Sequence, residues 1–241
     1  MYGIGEVKTS LTSADHTQMN CGMGLYDKDK VYYMPDADGK VIVDGKKCTV
    51  LSKDGYENTA VLTLGNKNYD VVKMPDGKYW LAQNLDWLPD EITLVTSSSE
   101  SPASPAACYY NFADNDKGLL YNGYAIETIN RLVPAGWHVP DKSDYEDLFA
   151  AVGGNTAANI KKIRSTSGWP SVQGTDDYGL NIYPNGHRTS TNTFILPENA
   201  YLWTDSISGS SNYRVKIDQS ASADIDAFGK SVYYSVRLVK D

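Results

Sequence analysis

The sequence predicts an α+β protein in two parts, a small β unit over residues 1–66 and a larger α+β domain over residues 67–241. Three observations lead there. Short strand-like runs punctuated by turn residues fill the first part. Two stretches with helical spacing sit in the middle of the chain. After Trp169 only turn-rich segments and strand-like runs follow.

Residues 1–22 are polar and weakly patterned, as expected of an arm with no core of its own. Lys30–Met34 reads as a strand, and Lys40–Val43 as another, followed by Asp44-Gly45. That pair tolerates the positive φ of a tight hairpin turn, and the run from Lys46 returns the chain. Thr59–Leu64 ends the unit before Gly65-Asn66. In the larger part, Asn68–Met74 and the run from Lys78 read as strands. Thr96–Ala107 is a Ser/Pro/Ala-rich loop.

Tyr121, Ala125, Ile129 and Leu132 share one helical face, which predicts a helix over 121–132. Pro134 ends it and Gly136 permits a turn. Ser143 with Glu146 three residues on has the form of a capping box, predicting a second helix over 143–152. Tyr145, Leu148, Phe149 and Val152 form its buried stripe, and Gly153-Gly154 stops it. Asn155 or Thr156 can cap a short third helix through Ile160 and Ile163. At the end, Val232, Tyr234, Val236 and Leu238 alternate with Tyr233, Ser235, Arg237 and Val239, as in a final strand with one apolar face.

Composition narrows the function classes. Apolar residues make up 41% of the 241, enough for a sizeable core. The net charge is −8 with no basic run, which argues against a nucleic-acid partner. No apolar run approaches the roughly 18 residues of a membrane helix, and the first residues do not read as a leader, so membrane insertion is not expected. Cys21, Cys48 and Cys108 fit neither a disulfide framework nor a metal site and are expected to be free thiols. His16, His138 and His187 lack partners at ligand spacing, and no Gly-x-Ser-x-Gly or phosphate-binding loop occurs. Asp224 and Asp226 could share a face, but a solvated loop explains them better than a calcium site. No catalytic residue, metal or cofactor is assigned. His138, between Trp137 and Val139, is read as a ring packed at the helix entry with one nitrogen bonded to backbone.

Tyrosine stands out, with 18 copies against 4 phenylalanines and 5 tryptophans. Tyrosine beside small polar residues gives rigid amphipathic area with adaptable hydrogen bonding. The run from Trp203 to Tyr234 has that character. Trp203, Tyr213 and Tyr233 are the expected stacking surface, and Asp205, Asp218 and Asp224 the expected hydrogen-bonding groups.

An ordered set of blocks carries a resemblance. It runs Trp80-Leu81-Ala82-Gln83-Asn84-Leu85, Tyr121-Asn122-Gly123-Tyr124-Ala125, and Pro134-Ala135-Gly136-Trp137-His138-Val139-Pro140. Tyr145 with Leu148, Gly168-Trp169, Asp177-Tyr178-Gly179-Leu180 and Pro184-Asn185-Gly186-His187-Arg188 follow. It closes with Leu202-Trp203-Thr204-Asp205 and Ser235-Val236-Arg237-Leu238-Val239. Over residues 66–241 the chain resembles the Fibrobacter succinogenes major paralogous domain family of the Bacteroidetes and their phages. The resemblance implies a C-type-lectin-like fold with ligand-presenting loops, and it makes Trp80, Asn84, Trp137, His138, Trp169, Arg188 and Arg237 framework residues. The family's usual cysteines are here Val133 and Leu238, which suits folding in a reducing compartment.

Together these readings lead to an expected function: a non-enzymatic phage virion protein, a fibre or decoration component located in the virion. It would touch a host-surface glycan or protein through the C-terminal domain and other virion proteins through the N-terminal unit. A homo-oligomer is expected, a trimer by preference. The rivals are a bacterial cell-surface or fimbria-associated adhesin, a purely structural capsid or tail scaffold, and a formylglycine-generating-type enzyme, which would need reactive cysteines.

Overall fold

The computed structural model describes residues 61–113 and 116–241, and before them the strands at 25–26, 32–33, 40–43 and 46–49. The expected arm over residues 1–22 lies outside the described residues. The chain divides into two compact units, Met1–Leu62 with Asp70–Lys73, and Thr63–Tyr69 with Met74–Asp241.

In the smaller unit β1 (Leu25–Tyr26) pairs antiparallel with β2 (Tyr32–Tyr33), and β3 (Lys40–Val43) with β4 (Lys46–Thr49). The second ladder closes at Val43↔Lys46, the register expected when Asp44-Gly45 connects the strands. Next along the chain, β5 (Val61–Leu64) and β6 (Lys67–Lys73) flank Gly65-Asn66, with Gly65 at φ +57°.

The larger unit continues with β7 (Tyr79–Leu81), β8 (Thr93–Leu94), β9 (Ala106–Cys108), β10 (Leu120–Asn122), α1 (Ala125–Leu132), β11 (Trp137–His138) and α2 (Lys142–Ala151). Then come α3 (Ala157–Ile160) running into a 3-10 turn (Lys161–Ile163), β12 (His187–Arg188), β13 (Phe194–Ile195), β14 (Ala200–Ser208), β15 (Ser211–Ile217), β16 (Ala223–Gly229), β17 (Tyr233–Tyr234) and β18 (Val239–Lys240). One sheet has the order β13-β12-β17-β10-β9-β8, with β8 parallel to β9. β11, β18 and β7 stand side by side in a second, and β14-β15-β16 form a third. Mostly sheet with three short α-helices among the described residues, the architecture accords with the α+β expectation.

α1 starts at Ala125, four positions later than its apolar spacing predicts. Tyr121 and Asn122 belong instead to β10, which pairs with β9 on one side and β17 on the other. Two ladder neighbours outweigh local periodicity there. Asn122 Oδ1 accepts from the Ala125 amide at 3.2 Å and helps open the helix.

α2 starts earlier than predicted, because the capping box is Asp141 with Asp144 rather than Ser143 with Glu146. Asp141 Oδ1 accepts from the Asp144 amide at 2.8 Å, and Asp144 Oδ2 from the Asp141 amide at 2.7 Å. The expected stripe of Tyr145, Leu148, Phe149 and Val152 is buried. Gly153 (φ +111°) and Gly154 (φ +99°) take the left-handed region past the helix end, and the Gly154 amide donates to Phe149 O. Neither Asn155 nor Thr156 caps α3 through its side chain. Thr156 takes the cap position without a side-chain bond, and the Asn155 amide is engaged elsewhere.

The C-terminal run differs from the one-sided strand expected. It is split into β17 and β18, and every residue from Val232 to Val239 is buried. β17 lies between β10 and β12, and β18 between β11 and β7, so neither has a free edge, and the burial of every residue shows that both faces are covered as well. Alternation persists, but it separates apolar side chains from the polar pair Ser235 and Arg237, not core from solvent.

Candidate functional site

A framework of buried arginines holds the loops of the larger unit. Arg237, 1% exposed, donates from Nε to Asn84 Oδ1 (2.7 Å), from Nη1 to Leu81 O (2.7 Å) and Leu180 O (2.8 Å), and from Nη2 to Asn181 O (2.9 Å). Asn84 in turn donates to Ser235 Oγ at 3.2 Å, and Asn185 reaches the same hydroxyl. Arg188 donates to Glu100 O at 2.6 Å, which pins the Ser/Pro/Ala-rich loop, and its guanidinium lies 4.7 Å from the centroid of the Tyr233 ring. Arg164 lies 3.5 Å over Trp169, whose Nε1 donates to Ser165 Oγ at 3.0 Å. Planar guanidinium groups suit both tasks, donating in a fixed fork while stacking on rings.

Trp80 is buried against Tyr145, centroids 5.1 Å apart, and donates to Asp76 Oδ2 at 2.9 Å. Trp137 and His138 are half-buried in β11. His138 does not bond to backbone through its ring as expected. Its Nε2 lies 3.2 Å from Asp144 Oδ2, on the carboxylate that also receives Lys78 Nζ at 2.5 Å. The bond to Asp144, with a second to Asp241 at 3.2 Å, holds the Lys78 ammonium above its ordinary range. The α2 capping residue thus ties β11 and the 78 turn to the helix start. His187 stacks edge-on to Tyr201, centroids 4.5 Å apart, and burial with the nearby Arg214 charge lowers it to about 4, so it stays neutral at pH 7.

The six residues expected to form the recognition surface do not stay together. Trp203 and Tyr233 are each 0% exposed and offer no stacking face. Trp203 donates from Nε1 to Tyr121 O at 2.8 Å and tilts against Tyr234; Tyr233 is held between β10 and β12, under Arg188. Large aromatic area is worth most when fully removed from water, and here the core takes both rings. Asp218 is a turn former, its Oδ1 accepting from the amides of Ser220 (2.9 Å) and Ser222 (3.0 Å). Those bonds keep its carboxyl below the usual range despite partial burial. Asp205 is half-buried and accepts from Asn130 Nδ2 at 3.2 Å, while burial and the neighbouring Asp141 raise its carboxyl.

Tyr213 and Asp224 remain near the surface, on the three-stranded β14-β15-β16 sheet. Ser206 to Asn212 form a hairpin in which Gly209 (φ +60°) turns β14 into β15. Residues 224–228, expected as an exposed loop, lie in β16. Asp226 is committed to Arg214, with contacts of 2.9 and 3.1 Å, and among the described residues no group of three or more acidic, histidine or cysteine side chains is placed to hold a metal ion.

Between α2 and β16 runs an open groove of about 460 Å³. Lys142, Glu146 and Phe149 line one wall and Asp224 and Ile225 the other, with Asn155 at one end. Lys142 pairs with Glu146 at 3.3 Å and stands 5.6 Å from the centroid of the Tyr213 ring, and its amide donates to Ser206 Oγ at 2.9 Å. The first turn of α2 is thereby seated on the β14–β15 hairpin. Among these, the sequence singled out only Asp224 and Tyr213 as surface groups. Lys142 carried no motif, Glu146 and Asn155 were read only as helix-capping residues, and Phe149 was assigned wholly to the core. The groove offers hydrogen-bond donors and acceptors of both charges around an apolar floor, which suits binding.

Cys108 is fully buried in β9, and burial pushes its thiol up to about 12, so it is not poised as a nucleophile. Val133 and Leu238 are both buried. No helix among the described residues is long and apolar enough to cross a membrane.

Neither the curated proteins nor the solved structures give a match to the chain. The model of the Fibrobacter succinogenes major domain matches residues 74–240, well over half of the sequence and the whole of the arginine framework, and the chain therefore belongs to that family.

Proposed function

We propose that this chain is a non-enzymatic recognition component of a phage virion, a fibre or decoration protein, whose larger unit is a C-type-lectin-like domain presenting the β14–β16 sheet and the α2 groove to a host surface. The groove carries this reading. It sets charged and apolar groups beside a scaffold whose loops are fastened by buried arginines, so a partner meets a preorganised surface. The inert Cys108 thiol supports binding over a cysteine-dependent oxidase. Buried apolar Val133 and Leu238, where the family usually has cysteines, suit assembly in a reducing host cytoplasm and favour the virion over a bacterial-surface adhesin.

In this reading the smaller unit anchors the protein to other virion components and joins copies, as a trimer. Gradient-purified particles from phage-producing cells should contain the chain in the particle band. Recovery only in the cell-envelope fraction would contradict the virion assignment and favour the adhesin. Light scattering on the full chain should return a trimer mass, and a monomer mass would remove that part of the proposal.

A further inference from the structure

β16 is the outer strand of its sheet, paired with β15 and, among the described residues, with no further strand on its other side. Its free edge can be assigned residue by residue. The Ala223 amide donates to Asn155 Oδ1 at 3.3 Å, and Asn155 Nδ2 donates to Ala223 O at 2.6 Å. The Ala223 peptide groups therefore point away from β15. In an antiparallel ladder alternate residues point the same way, so the N–H and C=O of Ile225 and Ala227 also point outward. They make no hydrogen bond among the described residues. At Ala223 the Asn155 carboxamide supplies one donor and one acceptor, as the peptide group of an adjoining strand would. The groove lies directly alongside this edge, with Phe149 and Ile225 in its walls.

We infer that the β16 edge and the groove accept an extended polypeptide strand with alternating apolar and basic side chains, added to the sheet beyond Ile225 and Ala227. This rests on the recognition reading and makes the contacted partner a protein segment. Main-chain hydrogen bonds supply the attachment, and alternate side chains the selectivity. Side chains on the Ile225 and Ala227 face fall over the groove and meet Phe149, which favours apolar residues. Those on the other face meet exposed Asp224, which favours lysine or arginine, while Asp226 is already paired with Arg214. A second copy fits less well. The register that sets Ile225 and Ala227 of two copies against each other gives exposed Asp224 no cation, since Phe228 of the second copy faces it, within a chain of net charge −8.

The test uses the full chain and an acetylated, amidated peptide alternating lysine and valine over seven residues. Amide exchange at Ile225 and Ala227 should slow on adding the peptide. N-methylation of its alternate backbone amides should weaken binding by about tenfold or more, since each methyl removes a main-chain donor. Ala227→Pro removes an outward N–H that the β15 ladder does not use, so it should abolish binding with an unchanged melting temperature. Equal affinity for the methylated peptide overturns the inference, as does protection away from β16 or no binding up to about 1 mM. Peptide binding without particle association would remove the virion reading and keep this one; particle association without peptide binding would do the reverse.

Discussion

Replacing Arg237 by methionine should lower the free energy of unfolding by about 3–5 kcal/mol, one of the two largest losses expected of any single change in the larger unit. The guanidinium bonds the Asn84 side chain and the carbonyls of Leu81, Leu180 and Asn181. Methionine fills much of the volume but donates nothing, so the acceptors closed off around it are left without partners. Burial pulls the Arg237 pKa down, yet the guanidinium stays charged at any pH a folded protein meets. The loss should therefore be the same at pH 6 and pH 8. Urea unfolding of both proteins checks it, and a difference under about 1 kcal/mol would mean the framework role is misassigned.

Trp203→Ala is expected to cost about 3–5 kcal/mol, through lost apolar burial, the cavity left behind and an orphaned Tyr121 carbonyl. Tyr213→Ala should cost under about 1 kcal/mol, because that ring is half-exposed and its recorded contact is the Lys142 ammonium. Thermal melts of the two variants separate core from surface within a segment whose composition looks uniform. Similar melting for both would place Trp203 outside the core.

That contrast shows what could be read in advance. The turn through Gly136, the apolar stripe of α2 and the family were legible, because each is written in short stretches of neighbouring residues. The start of α2 was misplaced because Ser143 with Glu146 and Asp141 with Asp144 have the same short-range form, and only the fold around Asp144, with Lys78 and His138, selects one. Alternation in Val232–Val239 gave the faces correctly but not whether the second was covered, which depends on side chains from distant parts of the chain, Arg188 over Tyr233 and Asn84 on Ser235 and Arg237 among them. Tyr233 was misassigned for that reason. The groove was not legible, since its end is set by Asn155 bonding to Ala223, far along the chain. In β16, the aspartates at 224 and 226 suggested a loop, while pairing with β15 made the segment a strand.

The central claim, that the β14–β16 sheet and its groove form the contact surface, is tested most directly by binding of labelled protein to host cells. The comparison is between the native chain and a Tyr213→Ala, Asp224→Lys double variant. Both positions lie at the surface, so the melting temperature should hold, while binding should fall by about tenfold or more. Undiminished binding by a folded double variant would contradict the claim and move the contact surface elsewhere on the molecule.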